Sequence, residues 1–390
     1  MKYDFDTIIE RKNTDCSKWD LLGKRFGNPD AIPFWIADMD FCVPPCITEQ
    51  IKKRAEHGIF GYTFTPDSYF SAAASWMKEM HGWEVKEDWI TYTPGIIPGL
   101  NYLIGALTEP GSEIIVQTPV YHRFYEVIKN NGCTVVENPL INDHGIYRID
   151  YEDLERKITE KTKMLLFCSP HNPVGRVWRE EELRKVAEIA QRHKILVVSD
   201  EAHSDIVYPG NQHTTFATLS PDIEQQCVVC MAPNKTFNIA GLHTANIIIA
   251  NAEIRNRFSD HMKRLCISSP TIFGAVAQEA AYTYGKEWYR EMLVYVEKNV
   301  DFAVDYINER IPGVHVVKPE GTYLLWLDFS KLGIHSDELN RRMAIEGGIV
   351  FNSGSRYGKS GDGYQRMNVA TSRETLKKGL ERLEKFVCSL

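Results

Sequence analysis

The stretch Ala232-Pro-Asn-Lys-Thr-Phe-Asn-Ile-Ala-Gly-Leu242 decides the fold class of this chain. It follows the apolar run Cys227-Val-Val-Cys-Met231, which is typical of a buried β-strand. The Pro-Asn pair ends that strand and places Lys235 on the turn behind it. Because most lysines are solvated surface charges, the meaning of Lys235 depends on what other strands bring to the same place.

Two other apolar runs lead to polar residues in a similar way. Residues 195–199 run directly into Asp200, and residues 164–168 are followed closely by Asn172. Open α/β sheets bind ligands in a crevice at the carboxyl ends of their strands, so we expect Lys235, Asp200 and Asn172 to meet there. An amine, a carboxylate and an amide are the groups that pyridoxal phosphate (PLP) requires for covalent attachment, for pairing with its pyridinium nitrogen and for bonding its ring hydroxyl. The alternative for Asp200 is a helix cap, which is a common role of aspartates at strand ends.

The composition is that of an ordinary globular enzyme. The chain has 390 residues, of which 43% are hydrophobic and 25% charged, and its net charge of −7 argues against a nucleic-acid partner. We expect no membrane segment, because no apolar run approaches the roughly 20 residues that a span needs. The acidic N-terminus lacks a signal-peptide core, which predicts a cytoplasmic protein. The nine cysteines are irregularly spaced, so we expect neither a disulfide framework nor a metal site.

The middle of the chain alternates apolar strands with amphipathic helices, which predicts an α/β fold with a mainly parallel sheet. We assign residues 47–286 to a large PLP-binding domain, and residues 1–46 and 287–390 to a smaller α+β domain. Predicted strands of the large domain cover residues 113–117, 134–136, 163–168, 194–199, 227–231 and 245–250, and a predicted helix covers 180–193. In the small domain we predict a long helix over 286–310, strands over 322–327 and 366–370, and a C-terminal helix from Glu374.

Further residues are candidates for the cofactor site. The Thr93-Pro-Gly-Ile-Ile-Pro-Gly99 turn precedes a helix, and Gly95 with the main-chain N–H groups of Ile96 and Ile97 suits a phosphate. Tyr121 follows a strand and is placed to stack on the pyridine ring, unless it is an ordinary buried tyrosine. His203 stands three residues after Asp200, within reach of the phenolic oxygen of the cofactor, unless it is a hydrogen-bonded core histidine.

Arg366 is the candidate for binding the substrate. It begins the apolar run Arg366-Met-Asn-Val-Ala370, and an arginine there is costly unless it meets an anion. A guanidinium group suits the α-carboxylate of an amino acid. The alternative is a salt bridge between the two domains.

Taken together, these motifs resemble the fold-type I, class I/II aminotransferase family of PLP enzymes, nearly from end to end. The Lys235 motif and Asn172-Pro-Val-Gly175 carry this resemblance. Other stretches are similar to the MalY/PatB subgroup of carbon–sulfur β-lyases, often called cystathionine β-lyases. These stretches are Trp35-Ile-Ala-Asp-Met-Asp-Phe41, Gly61-Tyr-Thr63, Ser199-Asp-Glu-Ala-His-Ser-Asp205, Pro319-Glu-Gly-Thr-Tyr-Leu-Leu-Trp-Leu-Asp328 and Asn352-Ser-Gly-Ser-Arg-Tyr-Gly358.

The resemblance implies a homodimer with active sites at the subunit interface. It implies that Tyr62 reaches the phosphate bound by the partner subunit, and we name Tyr62 and Tyr121 beside Lys235 as catalytic residues. The alternative for Tyr62 is a core tyrosine in a Gly-Tyr turn. Many members of the family have an arginine eight residues after the lysine, where this chain has His243. Phosphate binding is therefore expected to depend more on the Gly95 turn, the residues around Lys235 and Tyr62, and the role of His243 stays open.

The resemblance also supplies substrate residues and an activity. It implies that Ile36 and Ala37 form part of the substrate entrance and that Asn352 and Tyr357 lie near the substrate side chain. The expected reaction is α,β-elimination from L-cystathionine, L-cystine or S-substituted cysteines, giving pyruvate, ammonia and a thiol. An aminotransferase is the second interpretation, because the same catalytic residues serve both reactions. The third is a PLP-binding regulatory or scaffold protein without turnover.

Overall fold

The computed structural model describes residues 2–390. Within this range the α-helices are α1 (Ser17–Asp20), α2 (Leu22–Phe26), α3 (Pro45–Glu56), α4 (Asp67–His81), α5 (Ile96–Leu107), α6 (Arg123–Asn130), α7 (Tyr151–Arg156), α8 (Glu180–Arg192), α9 (Pro221–Glu224), α10 (Pro233–Thr236), α11 (Ala252–Arg264), α12 (Ile272–Tyr284), α13 (Lys286–Arg310), α14 (Ser336–Ile345) and α15 (Arg373–Cys388). The β-strands are β1 (Ile32–Pro33), β2 (Ile90–Thr93), β3 (Glu113–Thr118), β4 (Thr134–Pro139), β5 (Ile141–Asp143), β6 (Ile146–Arg148), β7 (Thr162–Cys168), β8 (Leu196–Asp200), β9 (Cys227–Met231), β10 (Ala245–Ile248), β11 (His315–Val316), β12 (Leu324–Asp328), β13 (Ile349–Val350), β14 (Asn352–Ser353) and β15 (Tyr364–Asn368). Short 3-10 helices span Glu87–Trp89, Phe216–Leu219, Ala240–Leu242, Ser330–Leu332, Gly354–Tyr357 and Lys359–Gly361.

A seven-stranded sheet forms the centre, in the order β2-β10-β9-β8-β7-β3-β4. The pairs from β9 to β4 are parallel, and β10 runs antiparallel to both β9 and β2. Both faces of the sheet are covered. Met164 and Leu166 of β7 pack in one core with residues of α5, α6 and α11, whereas Leu165 and Phe167 join the core that contains α8. The predicted α/β fold with a mainly parallel sheet is therefore confirmed.

A four-stranded antiparallel sheet, β11-β12-β15-β14, is built from the C-terminal part of the chain. The N-terminal segment joins this part, because β1 pairs with β13 and the Asn368 N–H donates to the carbonyl of Phe34 at 2.8 Å. The helix α13 has the bounds predicted for it, while the predicted strand over 366–370 lies two residues earlier in the chain, at Tyr364–Asn368. The division into domains at residues 47 and 286 stays a prediction.

No helix between residues 2 and 390 combines the length and apolarity of a membrane span. The same described residues contain no group of three or more His, Cys, Asp or Glu side chains arranged to hold a metal ion. Cys227 and Cys230 are buried thiols in β9, where they pack as apolar side chains.

Candidate active site

A cavity of about 400 Å³ opens at the carboxyl edge of the parallel strands. β8 ends in Asp200, β9 leads into α10 with Lys235, and the loop after β7 carries Asn172. Predicted site residues on the wall of this cavity are Ala37, Ile96, Ile97, Tyr121, Asn172, Asp200, His203, Lys235, Asn352 and Arg366. The ends of β7, β8 and β9, the strand β15 and the N-terminal segment thus meet at one place. Ile36 and Arg366 line the same cavity although they are 330 residues apart in the chain.

Lys235 lies in the short helix α10 and projects to the cavity. Its Nζ donates to the carbonyl of Ala37 at 2.6 Å. Burial lowers the pKa of Lys235 to about 8; the charge of Arg366 acts in the same direction, and the carboxylates of Asp38 and Asp200 oppose it. A lysine with this pKa has a sizeable neutral fraction near neutral pH, so its amine can act as a nucleophile or as a base.

Asp200 is a buried carboxylate with little to stabilise its charge. It is 7% exposed, and Oδ1 accepts one hydrogen bond, from the N–H of Ala202 at 3.1 Å. Burial raises the pKa of Asp200 to about 6, although the Ala202 N–H and the charge of Lys235 pull it down. The residue after β8 is not in a helix, so the alternative of a helix cap does not apply. The ionised form needs a cation in the cavity.

Arg366 is buried at 2% exposure in the middle of β15. Its Nη1 donates to Asn172 Oδ1 at 3.1 Å and its Nη2 to the carbonyl of Trp35 at 2.8 Å. Among residues 2–390, Nε has no hydrogen-bond partner and no carboxylate oxygen lies within 4.0 Å of the guanidinium. The alternative of an interdomain salt bridge is therefore wrong for the described chain. A buried guanidinium without an anion is suited to bind one from the cavity.

The turn before α5 presents free main-chain donors. Gly95 has φ +144°, a conformation that favours glycine, and its carbonyl accepts the N–H of Gly99. The N–H groups of Ile96 and Ile97 have no partner within the described chain, as expected at a helix N-terminus. The exposed His243 lies beside this turn, with Nδ1 3.4 Å from the carbonyl of Pro94. Free N–H donors at the positive end of a helix are the groups that suit an anion.

His203 and Tyr121 stand on the same wall. His203 is buried, with its ring packed edge to face against Tyr323 at 5.7 Å between centroids. Its Nδ1 has no hydrogen-bond partner among residues 2–390. Burial lowers the pKa of His203 well below its usual value, and the charges of Lys235 and Arg366 add to this. The imidazole is therefore neutral and offers a hydrogen bond to a group in the cavity.

The predicted side chains of Tyr357 and Tyr62 do not line the cavity, and Asn352 lines it but is bonded to a neighbouring carbonyl. Tyr357 is fully buried with its ring against Arg366, 5.4 Å from the guanidinium carbon, so it packs behind the wall. Asn352 lines the cavity but donates through Nδ2 to the carbonyl of Trp35. Tyr62 is fully exposed in the single chain and does not contribute to this cavity.

Several residues that support the site were not singled out from the sequence. Tyr323 donates to the carbonyl of Ala37 at 3.1 Å, the same oxygen that Lys235 contacts. Thr236, next to Lys235, donates to Asp205 at 2.5 Å. Asn238 donates through Nδ2 to the carbonyls of Met39 and Phe41. Asp205 and Tyr323 lie within the motifs quoted above, but their partners are distant in sequence, so no local signal identifies their roles.

Comparison with known proteins places this arrangement in a family. The model of the family "Aminotransferase class I and II" matches residues 29–383. The chain therefore belongs to this family. It is 43% identical to cystathionine beta-lyase PatB of Bacillus subtilis over 97% of this chain and 98% of PatB.

Solved structures agree in fold along the whole chain. Cystalysin from Treponema denticola, which contains a PLP cofactor, superposes with a TM-score of 0.97 at 35% identity, with 100% of each chain covered. The PLP-bound C–S lyase from Staphylococcus hominis gives a TM-score of 0.93 at 32% identity, covering 99% of this chain and 98% of that one. The expected PLP-dependent fold type I architecture is confirmed by these neighbours.

Proposed function

We propose that the protein is a PLP-dependent carbon–sulfur β-lyase that cleaves L-cystathionine and related cysteine thioethers and disulfides. The observation that carries this proposal is the juxtaposition of two buried groups in one cavity. Asp200 is a carboxylate with no ion-pair partner within 4.0 Å among residues 2–390, and Lys235 is a lysine whose pKa is lowered to about 8. The choice of elimination as the reaction is supported by the full-length similarity to PatB and to the C–S lyase of Staphylococcus hominis.

The residues present fit PLP. Asp200 would pair with the pyridinium nitrogen, which supplies the cation that its buried charge lacks. Lys235 would hold the aldehyde carbon covalently, and Asn172 and His203 would bond the ring hydroxyl. The free N–H groups of Ile96 and Ile97 would bind the phosphate, with His243 beside them.

When bound, PLP withdraws electrons from the Cα of an attached amino acid and so acidifies its hydrogen. Arg366 would bind the α-carboxylate through its free Nε–H edge and thereby orient the Cα–H bond. The amine of Lys235, whose pKa burial lowers to about 8, would take the proton from Cα in its neutral form. The balanced reaction consumes L-cystathionine and water and yields homocysteine, pyruvate and ammonia.

We further propose a cytoplasmic homodimer in which Tyr62 completes the partner's cavity. In the single chain Ile59, Phe60, Tyr62 and Phe64 expose their side chains in one loop. Apolar groups clustered in this way mark protein interaction sites. Light scattering after gel filtration should give twice the chain mass of 44.7 kDa. A monomer of full activity would contradict the assignment of Tyr62.

The activity is tested by incubating the PLP-loaded protein with L-cystathionine and no 2-oxo acid. We expect pyruvate and free thiol to appear together in equal amounts. Lys235→Ala, with the same PLP treatment, is the control and should form neither. Product formed only after addition of a 2-oxo acid would identify an aminotransferase instead, and PLP binding without any product would identify a protein that does not turn over.

A further inference from the structure

The cavity wall carries more positive charge than the proposed reaction uses. The whole chain has a net charge of −7, yet the described wall contains Lys235 and the arginines Arg25, Arg123, Arg356 and Arg366 against one carboxylate, Asp200. A cleft lined by one sign of charge concentrates ligands of the opposite sign. The PLP phosphate, which the proposed function assigns to the Ile96–Ile97 turn, and the α-carboxylate account for two anions. Cations on this wall that contact neither that turn nor a carboxylate indicate a further anionic group on the substrate.

Two of the four arginines already have an anionic partner, either proposed or observed. Arg366 faces the place proposed for the α-carboxylate of the substrate. Arg123 forms an ion pair with Glu126, in which Nη1 lies 2.5 Å from Oε2. Arg25 and Arg356 remain, and neither has a carboxylate within 4.0 Å among residues 2–390.

Arg356 is held by a neutral partner. Its Nη2 lies 3.2 Å from Nε2 of His122. Burial lowers the pKa of His122 to about 3, and the neighbouring charges of Arg356, Arg366 and Arg123 contribute. The ring therefore accepts a hydrogen bond but carries no charge, and most N–H groups of Arg356 stay available to an anion.

Arg25 is positioned by stacking on the ring of Trp35. Its guanidinium carbon lies 5.1 Å from the ring centroid of Trp35, and stacking leaves the N–H groups at the edge of the guanidinium available. The carbonyl of the same Trp35 accepts a hydrogen bond from Arg366. Both unpaired arginines thus contact side chains near Arg366, since the His122 ring lies 5.9 Å from that of Tyr357, which packs against the Arg366 guanidinium.

We infer that Arg25 and Arg356 bind a carboxylate at the far end of the leaving thiol. This inference rests on the proposed function and specifies its substrate class. The favoured substrates are cysteine thioethers and disulfides whose leaving thiol carries a carboxylate, as in L-cystathionine and L-cystine. S-Alkyl cysteines, which lack that group, are bound less well.

The test uses two substrates that differ in one group. S-Carboxypropyl-L-cysteine has the distal carboxylate of L-cystathionine without its ammonium group, and S-butyl-L-cysteine replaces that carboxylate with a methyl group. Both release alkyl thiols of similar reactivity, so a difference between them reports binding of the carboxylate. Steady-state pyruvate formation gives KM and kcat for wild type, Arg25→Gln and Arg356→Gln.

We expect each substitution to raise KM for S-carboxypropyl-L-cysteine and L-cystathionine about fivefold to twentyfold, which is typical of a charge-assisted hydrogen bond near solvent. For S-butyl-L-cysteine, KM should change less than about twofold, and kcat should be retained for both substrates. Arg123→Gln is the matched control, because Glu126 already neutralises this arginine on the same wall. It should not discriminate between the two substrates.

Equal changes for the charged and the neutral substrate, or an equal effect of Arg123→Gln, would overturn the inference. Calorimetric titration of both compounds into PLP-loaded Lys235→Ala protein measures binding without turnover. Tighter binding of S-carboxypropyl-L-cysteine than of S-butyl-L-cysteine, lost when Arg356→Gln is added to Lys235→Ala, would support the inference. If wild type nevertheless forms no pyruvate, only the proposed function is contradicted. Pyruvate formation without any such preference would leave the function intact and contradict the inference.

Discussion

Two carboxylates five residues apart, Asp200 and Asp205, sit in opposite electrostatic environments. Asp205 accepts hydrogen bonds from Trp76 and Thr236 and pairs with His81 at 2.9 Å. Burial opposes ionisation of Asp205, but its partners hold the pKa of this carboxyl below the usual value. Asp200 has one N–H donor, and burial raises its pKa to about 6.

The two environments distinguish a carboxylate that stabilises the fold from one that is available to a ligand. The network around Asp205 satisfies its charge within the chain, so it stabilises the fold and anchors Thr236 beside Lys235. Asp200 is left to be satisfied by a ligand. Because burying an uncompensated charge costs free energy, Asp200 destabilises the cofactor-free fold and is available to bind a cationic group.

The largest effect is expected from Asp205→Ala. The substitution leaves the buried donors of Trp76, Thr236 and His81 without their acceptor, which should lower the free energy of unfolding by about 3 to 5 kcal/mol. Urea denaturation measures this loss. Asp205→Asn keeps one acceptor oxygen and should lose less, and equal stability of both variants with wild type would remove the contrast with Asp200.

Asp200→Asn should act on turnover instead. Without the carboxylate, the pyridinium of PLP would lose the partner proposed for it, and kcat for L-cystathionine should fall about a hundredfold to a thousandfold, the size seen when one electrostatic contact in an active site is removed. The free energy of unfolding of the cofactor-free protein at neutral pH should stay the same or rise. Near-normal kcat would show that Asp200 is another scaffold carboxylate.

The stability of the cofactor-free protein should also depend on Asp200 through pH. The pKa of this carboxyl is raised from 3.8 to about 6 by folding, so the native state binds the extra proton. Stability from this group is therefore present below pH 3.8 and lost as pH rises to about 6, by roughly 3 kcal/mol. The difference in unfolding free energy between wild type and Asp200→Asn, measured by urea denaturation, should shift against wild type by this amount across the range, because the other carboxyls contribute equally to both proteins.

The comparison also explains what the sequence could predict. Lys235, Asp200 and Asn172 were found because each follows an apolar strand, and a parallel sheet gathers the ends of such strands by geometry. The partners of Asp205 were not found, because Trp76 and His81 come from α4, more than 120 positions away. The local pattern of apolar residues does not predict hydrogen bonds between residues so far apart in the chain.

The ends of strands and the absence of ion-pair partners are likewise not predictable from local sequence. The strand predicted from Arg366 begins at Tyr364, because polar residues at its start pair with β12 and β14 in a way that the apolar pattern does not record. Within residues 2–390, Arg25 and Arg356 lack carboxylate partners, and this is a property of the folded surface. The sequence shows only two arginines among many charged residues.

The smallest effect that we expect concerns Lys235 and the rate of cofactor uptake. Its neutral amine is the form that attacks the aldehyde, and burial lowers its pKa to about 8. The rate of PLP binding to cofactor-free protein should rise with pH up to about 8 and then level off. A rate that continues to rise towards the usual lysine range would show that the amine is not desolvated.

We propose Lys235 as the covalent attachment point of PLP in the cavity that also contains Asp200. Borohydride reduction of the PLP-loaded protein, followed by proteolysis and mass spectrometry, tests it most directly. We predict one pyridoxyl group per chain, on the peptide that contains Lys235, and none on that peptide in the Lys235→Ala variant. Labelling spread over surface lysines, or a chain that takes up no label, would contradict the account.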